Sequence, residues 1–234
     1  MSLPTINVPT YELGIPSTKE KITYRPFLVK EEKILLLANE SQDDIEMVNS
    51  IKQIITNCTF GKLDIEDLAM FDLEFMFLKI RAKSVGEMVK LQLLCDDDGE
   101  TYAEVEVNLD DVSVNFPKEH TNKIELTDNI GILMRYPKFN ILRLPTDTSE
   151  TEYIFKMIKA CVGQIYDGET VHERSDFNDT ELDTFLESLN SEHFKQLQGF
   201  FETMPKLSHQ VKFKNPNTKK QNKQTLEGLQ AFFV

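Results

Sequence analysis

Apolar residues at Met47, Val48, Ile51, Ile54, Ile55 and Cys58 recur at helical spacing, leaving Asp44, Glu46, Asn49 and Gln53 to face water. That pattern predicts an amphipathic helix, with Ser41 placed to cap it. A shorter helix is expected from near Lys30 through Ile34 to Ala38, and Gly61 breaks the chain after the pair. Asp64 to Lys83 predicts a third helix. Leu68, Phe71, Phe75, Leu78 and Ala82 form one apolar face, and Met70, Leu73, Phe77 and Ile80 form a second. A helix apolar on two faces belongs in the middle of a core or between partners. Leu73 to Phe77 also alternates weakly, which a strand would share.

The period then changes to two. Val89, Leu91 and Leu93 alternate with Lys90 and Gln92, and Ala103, Val105 and Val107 alternate with Tyr102, Glu104 and Glu106. Asp98-Gly99 lies between them as a hairpin turn. Strands are expected near Lys123 to Leu126 and Gly131 to Arg135. The last third returns to helical spacing: one stripe at Ile154, Phe155, Ile158, Cys161 and Val162, and another at Leu182, Phe185, Leu186 and Leu189. Thr180 and Asp183 stand at capping-box spacing for the second stripe. Ser191 can cap a further helix carrying Phe194, Leu197, Phe200 and Phe201, ended by Pro205. A short strand at Val211 to Phe213, a turn at Asn215-Pro216-Asn217-Thr218 and a return strand follow. Leu226, Leu229, Phe232 and Phe233 make an apolar anchor.

Ahead of all this, Pro4, Pro9, Pro16 and Pro26 punctuate residues 1–28 and leave an extended arm or edge strand, packed on its own domain or reaching to a neighbour. The whole reads as α+β, with helical segments each followed by an antiparallel β-hairpin, an order that two similar halves would share. The expected organisation is an arm at 1–28, helices plus hairpin at 29–140, and helices plus a lysine-rich hairpin and apolar tail at 141–234. The last two can form one globular unit.

The 234 residues carry a net charge of −13, which argues against general affinity for nucleic acid. Lys206 to Gln224 holds six lysines and no acid, so that stretch carries +6 and the remainder −19. An acidic body with one basic end suits head-to-tail docking onto other proteins; a solvated hairpin is the plainer reading. The N-terminus has neither the basic nor the apolar region of a secretory signal, and the longest aliphatic run, Ile34 to Ala38, is too short to span a bilayer. Cys58, Cys95 and Cys161 are odd in number and far apart, as expected of core residues in a reducing compartment.

Catalytic motifs are missing from the sequence. The glycines form no phosphate cradle, there is no GxSxG elbow, and His120, His172, His193 and His209 are isolated. His172-Glu173 reads as part of a polar loop. Asp96-Asp97-Asp98-Gly99 hints at calcium, but aligning Gly99 with the EF-hand glycine puts Leu94 and Val105 where oxygen ligands are needed. Turn aspartates are the better reading. Glu66, Asp67, Asp72 and Glu74 are acids without a visible cleft. No catalytic residue, cofactor, metal or small-molecule ligand is expected.

Three stretches resemble a known family: Tyr24-Arg25-Pro26-Phe27-Leu28-Val29-Lys30-Glu31-Glu32-Lys33, then Phe71 through Glu87, then Leu226-Glu227-Gly228-Leu229-Gln230-Ala231-Phe232-Phe233. Together they are similar to baseplate proteins of T-even-type, contractile-tailed bacteriophages, a family of central-hub subunits and hub-assembly proteins. Many members carry a Cys-Pro-x-Cys-like knuckle in the C-terminal hairpin. Here the turn is Asn215-Pro216-Asn217-Thr218 and Cys95 stands alone, so a four-ligand zinc site is not expected. The resemblance implies a part in building the baseplate hub in the cytoplasm of an infected bacterium, and a place in the virion tail baseplate if retained. Other phage hub proteins are the expected partners. The candidate interface residues are Tyr24, Arg25, Phe27, Lys212, Lys214, Lys219 and Lys220. Rival readings are a hub-assembly factor absent from the mature virion, a metal-assisted enzyme using Asp96 to Asp98, and a nucleic-acid binder using the lysine hairpin.

Overall fold

The computed structural model describes residues 6–41, 43–138 and 149–232. Pro4 of the arm, Phe233 of the C-terminal anchor and the expected division between residues 140 and 141 lie outside these. The proline-punctuated start forms a small antiparallel ladder, β1 (Tyr11–Gly14) with β2 (Lys21–Tyr24). From β1 onward the described part of the arm packs on its own unit, with Ile15 and Tyr24 buried, while Ile6 ahead of it is exposed.

Two helices follow, α1 (Val29–Ser41) and α2 (Asp44–Cys58). Ser41, expected to cap α2, instead ends α1, its hydroxyl donating to the Ala38 carbonyl at 2.8 Å. Asp43 is the cap: its carboxylate accepts from the Ile45 amide at 2.8 Å, next to the helix start where free N–H groups need an acceptor. The expected helix from Asp64 to Lys83 is also divided. Asp64 closes a single 3-10 turn at Ile65–Asp67, and Leu68 and Ala69 are extended. Only then does α3 (Met70–Val85) begin. The extended pair lets Ile65, Leu68 and Ala69 all bury. As its two apolar faces predict, α3 is central, with Phe71, Leu73, Met76, Phe77, Leu78, Ile80 and Ala82 buried.

The predicted hairpin is β3 (Met88–Leu94) with β4 (Tyr102–Asn108), Leu91 opposite Val105. Beyond it, β5 (Ser113–Asn115) pairs with a strand from the far end of the chain, β10 (Lys206–Lys214), which also pairs with β11 (Gln221–Glu227). Leu78, Leu91, Val107, Leu109, Leu207, Val211, Leu226 and Phe232 share one core. The C-terminal anchor therefore packs at home, ending in a 3-10 turn at Leu229–Phe232.

Two compact units result: Met1–Asn115 with Lys206–Val234, and Phe116–Pro205. Their boundaries do not follow the segments 1–28, 29–140 and 141–234, because the last hairpin completes the sheet begun by β5. The second unit holds a four-stranded antiparallel sheet of β6 (Lys123–Glu125), β7 (Ile130–Met134), β8 (Val162–Asp167) and β9 (Thr170–Glu173). Against it pack α4 (Glu150–Cys161), α5 (Asp179–Glu187) and α6 (Ser191–Thr203), through Ile132, Met134, Ile158, Leu182, Leu197 and Phe200. Val162 opens a strand where its spacing suggested a helical stripe. Gly163 there has no room for a side chain: a Cβ would sit 2.9 Å from the Leu133 carbonyl oxygen. The caps also differ from expectation by a residue or two. Asn178 and Glu181 form the capping box of α5, where Thr180 and Asp183 were expected, and Asn190 caps α6 in place of Ser191.

Candidate docking site on the lysine hairpin

Strand alternation sorts the side chains of β10 and β11. Val211, Phe213, Asn222 and Leu226 turn inward, while Lys212, Lys214, Gln221, Lys223 and Thr225 are exposed. Lys212 stands directly opposite Lys223, an arrangement that opposes hairpin formation. Lys219 and Lys220 occupy the connecting turn, where Lys219 has a positive φ of 64° and its ammonium donates to the Pro216 carbonyl at 2.5 Å. Among the described residues, Lys212, Lys214, Lys220 and Lys223 have no ion-pair partner.

The turn is anchored from below. Asn215 is wholly buried, and its side-chain oxygen accepts from the amides of Asn217 at 2.7 Å and Thr218 at 3.1 Å, which shapes the turn. Its amide donates to Asp97 at 3.0 Å and Asp98 at 2.8 Å, in the turn between β3 and β4. Asn222 donates to the same Asp97 oxygen at 2.8 Å and accepts from the Asp97 amide at 3.2 Å. The Thr218 hydroxyl donates to the other Asp97 oxygen at 2.5 Å. Gln224 donates to Asp96 and to the Leu94 carbonyl, both at 2.6 Å. Two hairpin tips more than a hundred residues apart in sequence are thus clasped by a polar network.

Hydrogen bonds set the charge of this clasp. The Thr218 hydroxyl and the Asn215 and Asn222 amides hold the Asp97 carboxyl below the usual range. The Thr101 hydroxyl and amide, with Asn215, do the same for Asp98. Both oxygens of Asp97 are occupied by protein donors, which gives the aspartate run a structural role. Among the described residues, no group of three or more His, Cys, Asp or Glu side chains is placed to hold a metal ion. Cys95 lies buried beside the run, its thiol pushed up by burial and by the neighbouring aspartates. Burial likewise pushes the Cys58 thiol up to about 11 and the Cys161 thiol up to about 12. All three behave as protonated core residues.

The family described as T4 bacteriophage base plate protein matches residues 8–234 of the chain. The chain belongs to that family. The resemblance read from residues 24–33, 71–87 and 226–233 thus extends over nearly the whole length. A search of the curated proteins gave no match, and a search of the solved structures gave none.

In this base plate protein the candidate interface residues fall into two groups. Lys212, Lys214, Lys219 and Lys220 share the hairpin and are exposed. Tyr24 and Arg25 are buried. The Arg25 guanidinium is taken up by Glu31 and by the Pro26 carbonyl, and its backbone amide donates to the Cys58 carbonyl at 3.0 Å. Phe27 is half-buried, its amide donating to Ser84 and its ring 5.7 Å from that of Phe77. The segment 24–27 therefore ties the arm to the helices. Lys223 is not among the sequence candidates: a turn confined to residues 215–218 would set Lys212 against Gln221, and only the longer connection through Lys220 brings Lys223 opposite Lys212.

The acids considered for chemistry also have structural partners. Glu66 pairs with Lys52. Asp72, wholly buried, accepts from the Ser17 amide at 2.9 Å and hydroxyl at 2.5 Å. Glu74 accepts from the Leu229 amide at 3.4 Å. His172 and Glu173, expected in a polar loop, are successive residues of β9, so their side chains leave opposite faces of the sheet. Among the described residues no helix is long and apolar enough to cross a membrane.

Proposed function

We propose that this base plate family member is a non-enzymatic structural subunit of the central hub of a contractile tail, docking through its lysine hairpin onto acidic surfaces of neighbouring hub proteins. The observation that carries this is the unpaired charge on a fixed hairpin. Lys212, Lys214, Lys220 and Lys223 lack counter-ions within the described residues, and Lys212 faces Lys223 across the ladder at a cost to the fold. The Asp97 clasp holds that charge in place, so little order has to be gained on binding. A carboxylate-bearing partner would relieve the repulsion and would be steered toward it from a distance. The metal-assisted reading loses support because the Asp97 oxygens are filled by Asn215, Asn222 and Thr218.

The subunit assembles in the host cytoplasm and remains in the virion tail baseplate. Quantitative mass spectrometry of purified particles tests this: stoichiometric presence is the expected result. Absence from particles, with hub formation still dependent on the protein, would overturn the subunit reading in favour of an assembly factor. Reversing Lys212, Lys214, Lys219 and Lys220 to Glu is expected to slow association with hub partners while the fold survives. Unchanged association rates would remove the hairpin from the interface.

A further inference from the structure

The first helix carries an apolar stripe that faces away from its own unit. Ala38 and Glu31 are buried on one side of α1, with Ile34 and Leu35 half-buried beside them. On the opposite side Val29, Lys33, Leu36, Leu37 and Glu40 follow the i, i+4, i+7, i+8, i+11 spacing of a single helix face. Val29 is 81% exposed, Leu36 58% and Leu37 54%. Ile45, at the start of α2 just past the end of α1, is 52% exposed. Adjacent leucines in water at the centre of a helix face, rimmed by charge, mark a contact surface.

The order of charges along the stripe indicates what covers it. Lys33 lies three residues before Leu36, and Glu40 lies three residues after Leu37. Both are exposed, and neither has an ion-pair partner among the described residues. The stripe is therefore its own electrostatic complement when reversed. A second copy of α1 laid antiparallel, with a two-fold axis between Leu36 and Leu37, sets Lys33 against Glu40 of the partner subunit, and does so twice. The same pairing brings Val29 toward Ile45 of the partner subunit, so the exposed aliphatics at the two ends also meet. A parallel pairing would set Lys33 against its own copy and Glu40 against its own. Elsewhere the net charge of −13 opposes contact between two copies; on this stripe one lysine and one glutamate cancel.

We infer that the exposed face of α1 is a self-association surface, on which two copies of the chain pair antiparallel through Leu36 and Leu37. Sedimentation equilibrium of the isolated full chain tests this independently of the hub assignment, since no hub protein is present. A monomer–dimer equilibrium is expected. Leu36→Glu with Leu37→Glu should abolish the dimer while leaving the circular dichroism unchanged and the thermal midpoint equal to that of the wild type diluted to monomer, because both side chains are exposed. Lys33→Glu turns two attractive pairs into repulsive ones and should raise the dissociation constant at least about tenfold. The Lys33→Glu/Glu40→Lys double variant restores both pairs and should restore the dimer. Mixing the two single variants should give a heterodimer tighter than either homodimer. A chain monomeric up to about 100 μM, the range in which even modest interfaces form, overturns the inference and leaves the stripe to an unlike partner. A dimer indifferent to the leucine and charge changes overturns it as well.

Discussion

Arg25 and Glu31 meet two on two inside the protein, with Nη2 2.9 Å from one carboxylate oxygen and Nη1 3.1 Å from the other. Glu31 is wholly buried and also accepts from the Leu28 amide at 2.9 Å. The pair joins the N-terminal arm to the start of α1, and the Arg25 backbone bond to Cys58 adds the end of α2. Burial alone would raise the Glu31 carboxyl, but the Arg25 and Leu28 bonds outweigh it and the group titrates below its usual value.

Removing one member of this pair strands a charge in the interior. Glu31→Ala is expected to destabilise the first unit by about 3–5 kcal/mol, read by urea denaturation. Arg25→Met combined with Glu31→Leu should recover most of that loss, because no buried charge remains. Because folding lowers the Glu31 pKa, its contribution is present above the ordinary carboxyl range. It fades as pH falls through the folded value, so the acid side of the wild-type stability curve should be steeper than that of the double variant.

The clasp at Asn215 gives a second acid-sensitive element. Asn215→Ala leaves Asp97 and Asp98 each one donor short and removes the acceptor that shapes the turn. About 2–3 kcal/mol of stability should be lost. Asp97 and Asp98 both titrate below the usual range when folded, so their contribution is likewise full near neutrality and lost on acidification. Amide hydrogen exchange should show the tip of the β10–β11 hairpin opening first, before the core strands around Leu91 and Val107. Equal protection of tip and core at acid pH would contradict this.

Some of this was legible in the chain and some was not, for physical reasons. The α2 stripe, the two-faced α3 and the β3–β4 alternation carry strong periodicity, and each appears as its pattern predicts, except that α3 starts at Met70 and leaves Leu68 in the extended pair ahead of it. Caps are weaker signals: Ser41, Asp43 and Asp44 are all competent side chains, and only the geometry of the α1–α2 connection selects Asp43. The β8–β9 hairpin was hidden because Cys161 and Val162 continue the apolar spacing of α4, while the close approach of Leu133 to Gly163 comes from a distant strand. The lysine hairpin was visible as a run of charge. Its anchor was not, since the Asn215 and Asp97 partnership spans 118 residues and each residue alone looks like an ordinary turn former. Arg25 shows the opposite failure: a charged residue in a proline-rich arm reads as surface until its partner Glu31 is seen to be buried.

Lys79 is a further buried charge, hydrogen-bonded to backbone carbonyls with Asp110 and Asp111 nearby. Its ammonium donates to the carbonyls of Leu109, Asp110 and Val112 at 2.8, 2.8 and 2.9 Å, closing the turn between β4 and β5 from the side of α3. Lys79→Met keeps the length of the side chain but leaves three carbonyls without this donor. About 2–4 kcal/mol should be lost, with the thermal midpoint as readout. Burial lowers the Lys79 pKa, so its folded value lies below its unfolded value. Between the two values the unfolded state binds more protons than the folded state, so this group adds to stability as pH rises through that window. The gap in midpoint between wild type and Lys79→Met should therefore widen at alkaline pH, and a gap that closes would contradict the burial-lowered pKa.

The facing lysines of the hairpin allow stability and docking to be separated. Replacing Lys223 by Glu converts the like-charge pair with Lys212 into an opposite-charge pair on the same ladder positions. The hairpin should gain about 0.2–1 kcal/mol, visible as a higher midpoint in urea or heat. If the unpaired charge exists for a partner, the same change should lower incorporation into baseplates and flatten the salt dependence of association, since one fewer lysine is free and one acid is added. A variant that is both more stable and equally well incorporated would mean that the repulsion between Lys212 and Lys223 serves no contact. A stabler but assembly-deficient variant would identify the strain as the signature of an interface, because a fold selected for stability alone has no reason to keep two lysines face to face.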